Sequence, residues 1–287
     1  MSLPGFNRSG IFLLLTAASI LLSIGPLSRT AELSLKSDAH THILLILPLC
    51  GALAFMQPKR ALRDESQPVV GYVLLSAAIV IGAIAKWGLH VAQADFSLCL
   101  SMFALVTWWI GSLIICYGSN VVREYLFQLL LLYWLVPLPD LAVDSIVAAL
   151  QILSAYAARI LLVVGGIPVT QDGTLLSMAS LDVDVAPQCS SIRSSLMLVI
   201  TTMVLAHLFL RSTWRKALLI VAAIPVAALK NGLRIFTLVE IGTRFDPQIF
   251  DSDLHHRGGI VFFAVSVAIT AGLLWMLRRT ERVTMAS

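Results

Sequence analysis

The sequence predicts an all-α integral membrane protein with about eight transmembrane helices, one interfacial or re-entrant helix and a small extracytoplasmic β-hairpin. The first observation is composition: 58% of the 287 residues are apolar and 13% are charged, whereas soluble chains are about half apolar and a quarter charged. The second is the recurrence of long apolar stretches. The third is an unequal distribution of basic residues between loops. We expect one polytopic domain over residues 1–287, and the net charge of +4 is too small to indicate nucleic-acid binding.

The apolar stretches follow one another along the chain and differ in length. They lie at about residues 10–27, 41–56, 69–87, 96–118, 123–139, 142–167, 190–210, 217–241 and 258–277. A spanning helix needs roughly 20 apolar residues, so 10–27, 96–118 and 258–277 are long enough and 41–56 is short. No convincing small-residue cleavage site follows the first stretch, which is therefore interpreted as an uncleaved helix.

Lysine and arginine residues orient these helices, because the loops richer in them should be cytoplasmic. With the amino terminus inside, the larger set falls on the inner side: Arg8, Lys59, Arg60, Arg63, Arg123, Arg211, Arg215, Lys216, Arg278, Arg279 and Arg282. The smaller set falls outside: Arg29, Lys36, Lys86, Arg244 and Arg257. A multi-pass protein of the cytoplasmic (inner) membrane is therefore expected.

This orientation requires that one stretch does not cross, and residues 142–167 are the natural exception. They contain Asp144, Gln151 and Arg159, which suit a helix in the interface or against the bundle better than one surrounded by lipid. The alternative is a ninth crossing. It would put the segment before Cys189 on the side opposite to the one that the charges predict.

The outward loop 168–188 contains the expected β-hairpin. Asp172-Gly173 is a turn signal, and Leu181, Val183 and Val185 alternate with aspartates, as in a strand with one buried face.

Cys189 is the one cysteine that invites chemistry, because it lies in a polar stretch just before an apolar run. A helix amino terminus and Arg193, one turn further on, would both favour its thiolate form. The alternative reading, a buried structural thiol, is about equally favoured by these residues alone. No CxxC pair and no His/Cys cluster at zinc-like spacing is visible, so neither a metal nor a cofactor is expected.

Arg234 lies within the stretch 217–241, with Lys230 and Asn231 on nearby faces of the same helix. An arginine within a crossing costs at least ~2.5 kcal/mol on insertion scales, which favours a cavity or a partner. Its guanidinium is suited to stabilising an oxyanion. A structural ion pair, for example with Glu240, is the alternative.

His255 and His256 directly precede the last apolar stretch, on the same predicted side as Cys189 and Arg234. A histidine there can carry a proton between a thiol and a leaving amine, although adjacent loop histidines are more often plain surface. His42 also opens a stretch on that side, as a second polar wall of the site or, more commonly, as an interface anchor.

These motifs, taken in order, resemble the exosortase/archaeosortase family of transpeptidases over roughly residues 38–265, within an expected core of about 38–277. The matching segments are Asp38-Ala39-His40-Thr41-His42, Val136-Pro137-Leu138-Pro139-Asp140, Gly165-Gly166-Ile167-Pro168-Val169, Val185-Ala186-Pro187-Gln188-Cys189-Ser190-Ser191-Ile192-Arg193, Asn231-Gly232-Leu233-Arg234-Ile235 and His255-His256-Arg257-Gly258-Gly259. One departure is Ser191, where the family usually has glycine, and it bears on the subfamily and substrate motif.

The resemblance implies a membrane cysteine endopeptidase/transpeptidase with its active site facing outward. Cys189 would be the nucleophile, Arg234 the oxyanion stabiliser and His255 the proton carrier, with His256 as its close rival. The implied partners are membrane lipid and secreted proteins with a carboxy-terminal sorting signal: a short motif, a transmembrane helix and a basic tail. A thioester would then be resolved by water or by another acceptor.

A rival hypothesis from another class is a non-catalytic transporter or assembly scaffold. In it Arg159, Lys230 and Arg234 would bind an anionic solute or lipid head group. It predicts that Cys189→Ala is silent, whereas the enzyme hypothesis predicts that the same change abolishes product.

Overall fold

The computed structural model describes residues 8–57, 68–88, 94–179, 182–185, 192–244 and 259–286. These residues are mostly helical, with one small antiparallel sheet, so the all-α membrane class with a small β element is confirmed. The chain divides into two compact units, Met1–Ala142 and Val143–Ser287, which are described separately below.

The first unit consists of helices of very unequal length. Its elements are α1 (Arg8–Leu22), α2 (Ile24–Lys36), α3 (Ile43–Met56), α4 (Pro68–Ala83), a π-helix (Ile84–Gly88), α5 (Ala94–Tyr117), α6 (Asn120–Leu131) and a 3₁₀ turn (Leu132–Leu135). Helices α4 and α5 pack backbone against backbone at Gly71 and Gly111, since a Cβ atom on Gly71 would lie 3.0 Å from the Gly111 carbonyl oxygen.

Two stretches of the first unit that we expected to cross as continuous helices are interrupted. The first apolar stretch bends by 71° between α1 and α2. The stretch 123–139 contains only the 12-residue α6, whose Tyr125 has non-helical dihedrals, followed by the 3₁₀ turn. Hydropathy reports burial in lipid or protein but not backbone continuity, which is why these breaks were missed.

The second unit contains most of α7 (Asp140–Val164), three strands and three long helices. These are β1 (Val169–Asp172), β2 (Leu175–Met178), β3 (Asp182–Asp184), α8 (Ile192–Phe209), α9 (Thr213–Arg244) and α10 (Gly259–Ala286). The strands form one antiparallel sheet in the order β1-β2-β3.

The predicted hairpin is confirmed, and the sheet extends it by a third strand. Gly173 has a φ of 58° at the turn between β1 and β2, a left-handed conformation that favours glycine. In β3, Val183 is half-buried while Asp182 and Asp184 are exposed. The alternation therefore buries the apolar face as the sequence predicts.

Helices α8, α9 and α10 form an antiparallel bundle, and Glu281 closes one end of it. The Glu281 carboxylate accepts hydrogen bonds from the backbone N–H groups of Ser212 (2.6 Å) and Arg211 (3.1 Å), and it lies 3.6 Å from the Arg215 guanidinium. The end of α8, the start of α9 and the end of α10 thus meet here. The start of α8, the end of α9 and the start of α10 must lie towards the opposite end.

Within the described residues, six helices are long and apolar enough to cross a membrane, or up to seven if the bent α1–α2 pair is one span, so the expected count of eight is not confirmed. Helix α7, which we expected not to cross, is one of the six. Its polar residues do not oppose a crossing. Asp144 and Arg159 are exposed near its ends, where side chains reach towards water, and Gln151 is hydrogen-bonded within the protein.

Candidate functional site

The predicted site residues divide into those that the structure describes and those that it does not. Cys189, His255 and His256 lie outside the described residues. The four others are described: Arg234 and Asn231 on α9, Arg193 at the second position of α8, and His42 directly before α3.

Helix α9 carries a cluster of polar side chains in its second half. Lys230 is 3% exposed, Asn231 is fully buried and Arg234 is half-buried. The Lys230 ammonium donates a hydrogen bond to the Ser194 hydroxyl of α8, an attachment that compensates part of the cost of burying this charge. Helices α8 and α9 are therefore fixed to each other by a polar contact close to the start of α8.

The Lys230–Ser194 contact lies one helical turn from an apolar layer that joins α8, α9 and α10, on the side of the layer nearer the start of α8. The layer consists of Leu198, Val226 and Ala227, with Phe263 and Val267 of α10 packed against it. Ser194 precedes Leu198 by four residues and Lys230 follows Val226 by four, a shift of about one 5.4 Å turn. Gly259, the first residue of α10, precedes Phe263 by the same spacing. The three helices thus bring Ser194, Lys230 and Gly259 to a similar level.

The segment leading towards Cys189 is anchored to the rest of the second unit at Val185. Val185 is 1% exposed, its N–H donates to the Thr174 carbonyl at 3.1 Å, and its own carbonyl accepts a 2.7 Å hydrogen bond from the Gln151 side chain of α7. Val185 also belongs to an apolar cluster with Ile235 of α9. Ile235 directly follows Arg234. The cluster around Val185 and the Lys230–Ser194 contact therefore both involve residues 230–235 of α9, about one and a half helical turns.

Gly232 allows α9 to approach α7 closely in that same region. A Cβ atom at this position would lie 2.6 Å from the Ala157 Cβ and 2.8 Å from the backbone nitrogen of Ala158. These are distances that no real side chain tolerates without a backbone shift. The glycine therefore fixes the separation of the two helices beside Arg234.

Arg193 and His42 have different surroundings. Arg193 is exposed on the first turn of α8. His42 is 3% exposed, and its ring meets Trp134 edge-on with centroids 5.7 Å apart. Burial, with a smaller contribution from the nearby His40, lowers the pKa of His42 to about 4. His42 is therefore a neutral, packed side chain of the first unit.

Three contributors were not assigned roles from the sequence: Ser194, Gln151 and Gly232. Their signals are visible in retrospect. Polar side chains within apolar helices need partners, which applies to Ser194 and Gln151. A glycine within a helix is costly unless something requires it, which applies to Gly232.

The fold and these contacts define a polytopic α-helical membrane protein with a buried basic and polar cluster on α9. A family model described as transmembrane exosortase matches residues 9–272. The chain therefore belongs to the transmembrane exosortase family, which confirms the resemblance that the motifs carry. No curated protein and no solved structure matches it.

Proposed function

We propose that this exosortase-family protein is a membrane cysteine endopeptidase/transpeptidase. Its substrates are secreted proteins that end in a sorting signal made of a short motif, a transmembrane helix and a basic tail. The enzyme cleaves before the helix, on the outer face of the cytoplasmic membrane, through a thioester on Cys189.

The observation that carries the proposal is the double anchoring of the segment that contains Cys189. Cys189 follows Val185 by four positions and precedes Ser194 by five, and an extended chain spans at most about 14 Å and 18 Å over those lengths. Val185 shares a cluster with Ile235, and Ser194 is bonded to Lys230. The Ser194–Lys230 contact therefore ties one end of the segment to α9 one turn before Arg234, and the other end lies in the apolar cluster that contains Ile235. This arrangement supports pairing the thiol with this guanidinium.

The direction of the helices supports the same pairing. Helices α8 and α9 are antiparallel, so moving from Lys230 to Arg234 leads towards the end of α8 from which the Cys189 segment arrives. His255 precedes Gly259 by four positions, and Gly259 belongs to the same level of the bundle. Cys189 and His255 thus belong, by their sequence positions, to the segments that precede α8 and α10, and Arg234 lies on α9, which packs against both of these helices.

In the proposed reaction the Cys189 thiolate attacks the carbonyl carbon of the scissile peptide bond. Arg234 donates hydrogen bonds to the oxyanion of the tetrahedral intermediate, whose charge it stabilises. His255, or its rival His256, protonates the nitrogen of the leaving helix, and the C–N bond breaks to give the thioester. The histidine then takes a proton from water or from an acceptor amine or hydroxyl, which attacks the thioester and releases the thiolate.

Arg193 and Asn231 have supporting roles in this proposal. Arg193, at the fourth position after Cys189, favours the thiolate electrostatically. Asn231 is fully buried beside Arg234 on α9, which suits a positioning residue.

The outward orientation follows from the charge rule. The charge rule places the basic segment at residues 59–63 inside. From there α4, α5 and α7 are three candidate crossings, so α8 begins on the outer side. The basic residues of the α8–α9 connection and of the end of α10 then remain cytoplasmic, and the Cys189 segment faces outward.

Co-expression of a candidate substrate with the full chain tests the proposal. Cys189→Ala should abolish the cleaved product and leave uncleaved precursor in the membrane, as seen by immunoblotting. Cys116→Ala, which removes a buried thiol of α5, is the matched control and should cleave normally. Normal cleavage by a stably expressed Cys189→Ala protein would contradict the proposal.

A further inference from the structure

A large cavity lies within the first unit, lined by α1, α2, α4, the π-helix and α5. Its volume is about 910 Å³, near the upper end of the range of ordinary ligand sites, roughly 300–1,000 Å³. Its walls combine apolar side chains such as Leu22, Ile79 and Leu105 with two cations, Arg29 and Lys86. A ligand that fills it would need both an apolar portion and a negative charge.

Two irregularities of the backbone border this cavity. Ser23, at the 71° bend between α1 and α2, is a lining residue, and so are Ala85 and Lys86 of the π-helix. The Ser97 hydroxyl of α5 donates a 2.8 Å hydrogen bond to the Ala85 carbonyl, which stabilises the π-helical turn. Such turns are rare and often occur at functional sites, and irregular backbone in membrane proteins is tolerated where it lines a cavity.

The two cations also stand out in the charge distribution. In the orientation that the sequence predicts, Arg29 and Lys86 belong to the smaller set of basic residues, on the side that is poor in cations. Orienting the chain therefore does not account for them. Among the described residues that line the cavity none is acidic. The Lys86 ammonium lies 5.9 Å from the centre of the Trp87 ring, where a cation–π contact holds it at the cavity.

We propose that this cavity binds one anionic phospholipid, with its phosphate between Arg29 and Lys86 and its acyl chains against the apolar wall. Free inorganic phosphate would satisfy the cations but leave the apolar wall without a ligand. The transmembrane helix of the proposed substrate would match the apolar wall but would bring no anion to the two cations. An anionic phospholipid is complementary to both parts, and the membrane supplies it.

Native mass spectrometry of the full chain in detergent tests the site directly. Phosphatidylglycerol, phosphatidylcholine and inorganic phosphate are titrated separately against the wild type, the double variant Arg29→Gln/Lys86→Gln and the control Lys36→Gln. Lys36 lies on α2 like Arg29, but it pairs with Glu32 at 2.5 Å and does not line the cavity. The single variant Arg29→Gln provides a milder change should the double variant fold poorly.

The wild type should bind one phosphatidylglycerol more tightly than phosphatidylcholine. The double variant should bind phosphatidylglycerol about thirtyfold more weakly, since each surface cation contributes about fivefold to binding an anionic lipid. Arg29→Gln should show an intermediate loss and Lys36→Gln none. Equal affinity for the two lipids, unchanged binding by the variants, or displacement of phosphatidylglycerol by equimolar inorganic phosphate would each overturn the proposal.

Discussion

The two units of this chain differ in how their helices are built. In the second unit α7, α8, α9 and α10 are long and continuous, and they are joined by an apolar layer, a close glycine contact and hydrogen bonds between helices. In the first unit α1 and α2 meet at a 71° bend and α6 is kinked at Tyr125. Helices α4 and α5 are in comparable backbone contact, at Gly71 and Gly111.

The difference suggests a division of tasks. Catalytic groups need fixed relative positions, because a misplacement of about 1 Å can cost a hundredfold in rate, and continuous packed helices supply that rigidity. Interrupted helices instead leave space between them, as in the cavity beside Ser23 and Lys86. Substitutions in both units test whether the second unit is the rigid part of the chain and carries the catalytic groups.

The largest effect is expected at Arg234. Arg234→Ala and Arg234→Lys should each lower the cleavage rate by about 10²–10³-fold, because lysine keeps the charge but lacks the planar fork of donors. Arg159→Ala on the exposed face of α7 is the matched control. Quantitative cleavage in membranes should show no loss for Arg159→Ala. A loss there equal to that of Arg234→Ala, with Cys189→Ala silent, would instead favour the anion-binding transporter or scaffold.

Gly232→Ala should destabilise the second unit by about 1–3 kcal/mol, because the new Cβ collides with the backbone of α7. The control is Gly272→Ala on α10, where a Cβ meets nothing within 4 Å and alanine should stabilise the helix by up to about 1 kcal/mol. Thermal unfolding in detergent measures both. Equal melting temperatures of the two variants would show that the close approach of α7 and α9 is not a constraint.

Gln151→Leu should lower the cleavage rate by about tenfold, since it releases the carbonyl of Val185 and with it the segment that leads to Cys189. Gln171→Leu is its control, because the Gln171 amide also bonds a backbone carbonyl, that of Gly173, but in the exposed turn of the sheet. The comparison requires equal expression and melting temperature. If the two leucine variants cleave equally fast, Gln151 does not position the segment.

The smallest effect is expected for His42 in the first unit, and it concerns how the free energy of unfolding depends on pH. Its pKa of about 4 is below the ordinary value of about 6.5, so protonation opposes folding. The stability gained from the neutral form is complete above pH 6.5 and is lost as the pH falls towards 4. Lowering the pH from 7.5 to 5.5 should cost the wild type about 1 kcal/mol of unfolding free energy.

The His42→Gln variant identifies the origin of that change. Without a titrating ring at this position, its thermal unfolding should depend less on pH over the same interval. An identical pH dependence in wild type and variant would assign the effect to other groups.

The sequence predicted the long helices and the sheet better than it predicted the interruptions. Helices α5 and α10 lie where the apolar stretches 96–118 and 258–277 predict them, and Asp172-Gly173 forms the expected turn, because apolar length and turn chemistry act locally. The bend near Ser23 has a local signature that hydropathy ignores, because Pro26 has no N–H to donate to the Leu22 carbonyl four residues earlier. The kink at Tyr125 has no such signature.

The sequence predicted which residues would carry the chemistry of the candidate site, but not the hydrogen bonds that hold the surrounding segments together. The motifs around Cys189, Arg234 and His255 carry the family resemblance, and their roles stay predictions. The bonds of Ser194 to Lys230 and of Gln151 to Val185 join residues distant in sequence. Composition and periodicity say nothing about which distant partner a buried polar group finds, so only the packed helices reveal these pairs.

The central claim is that Cys189 forms an acyl-enzyme with the sorting signal. The direct measurement compares four full-length chains: the wild type, Cys189→Ser, His255→Ala and His256→Ala. Each is incubated with a synthetic substrate and quenched in acid, and the adduct is located by peptide mass spectrometry. The account predicts a hydroxylamine-sensitive adduct on Cys189 in the wild type and its loss in Cys189→Ser, with one histidine variant altering its amount. Product formation with no adduct on Cys189, or with the adduct on Cys50, Cys99 or Cys116, would contradict it.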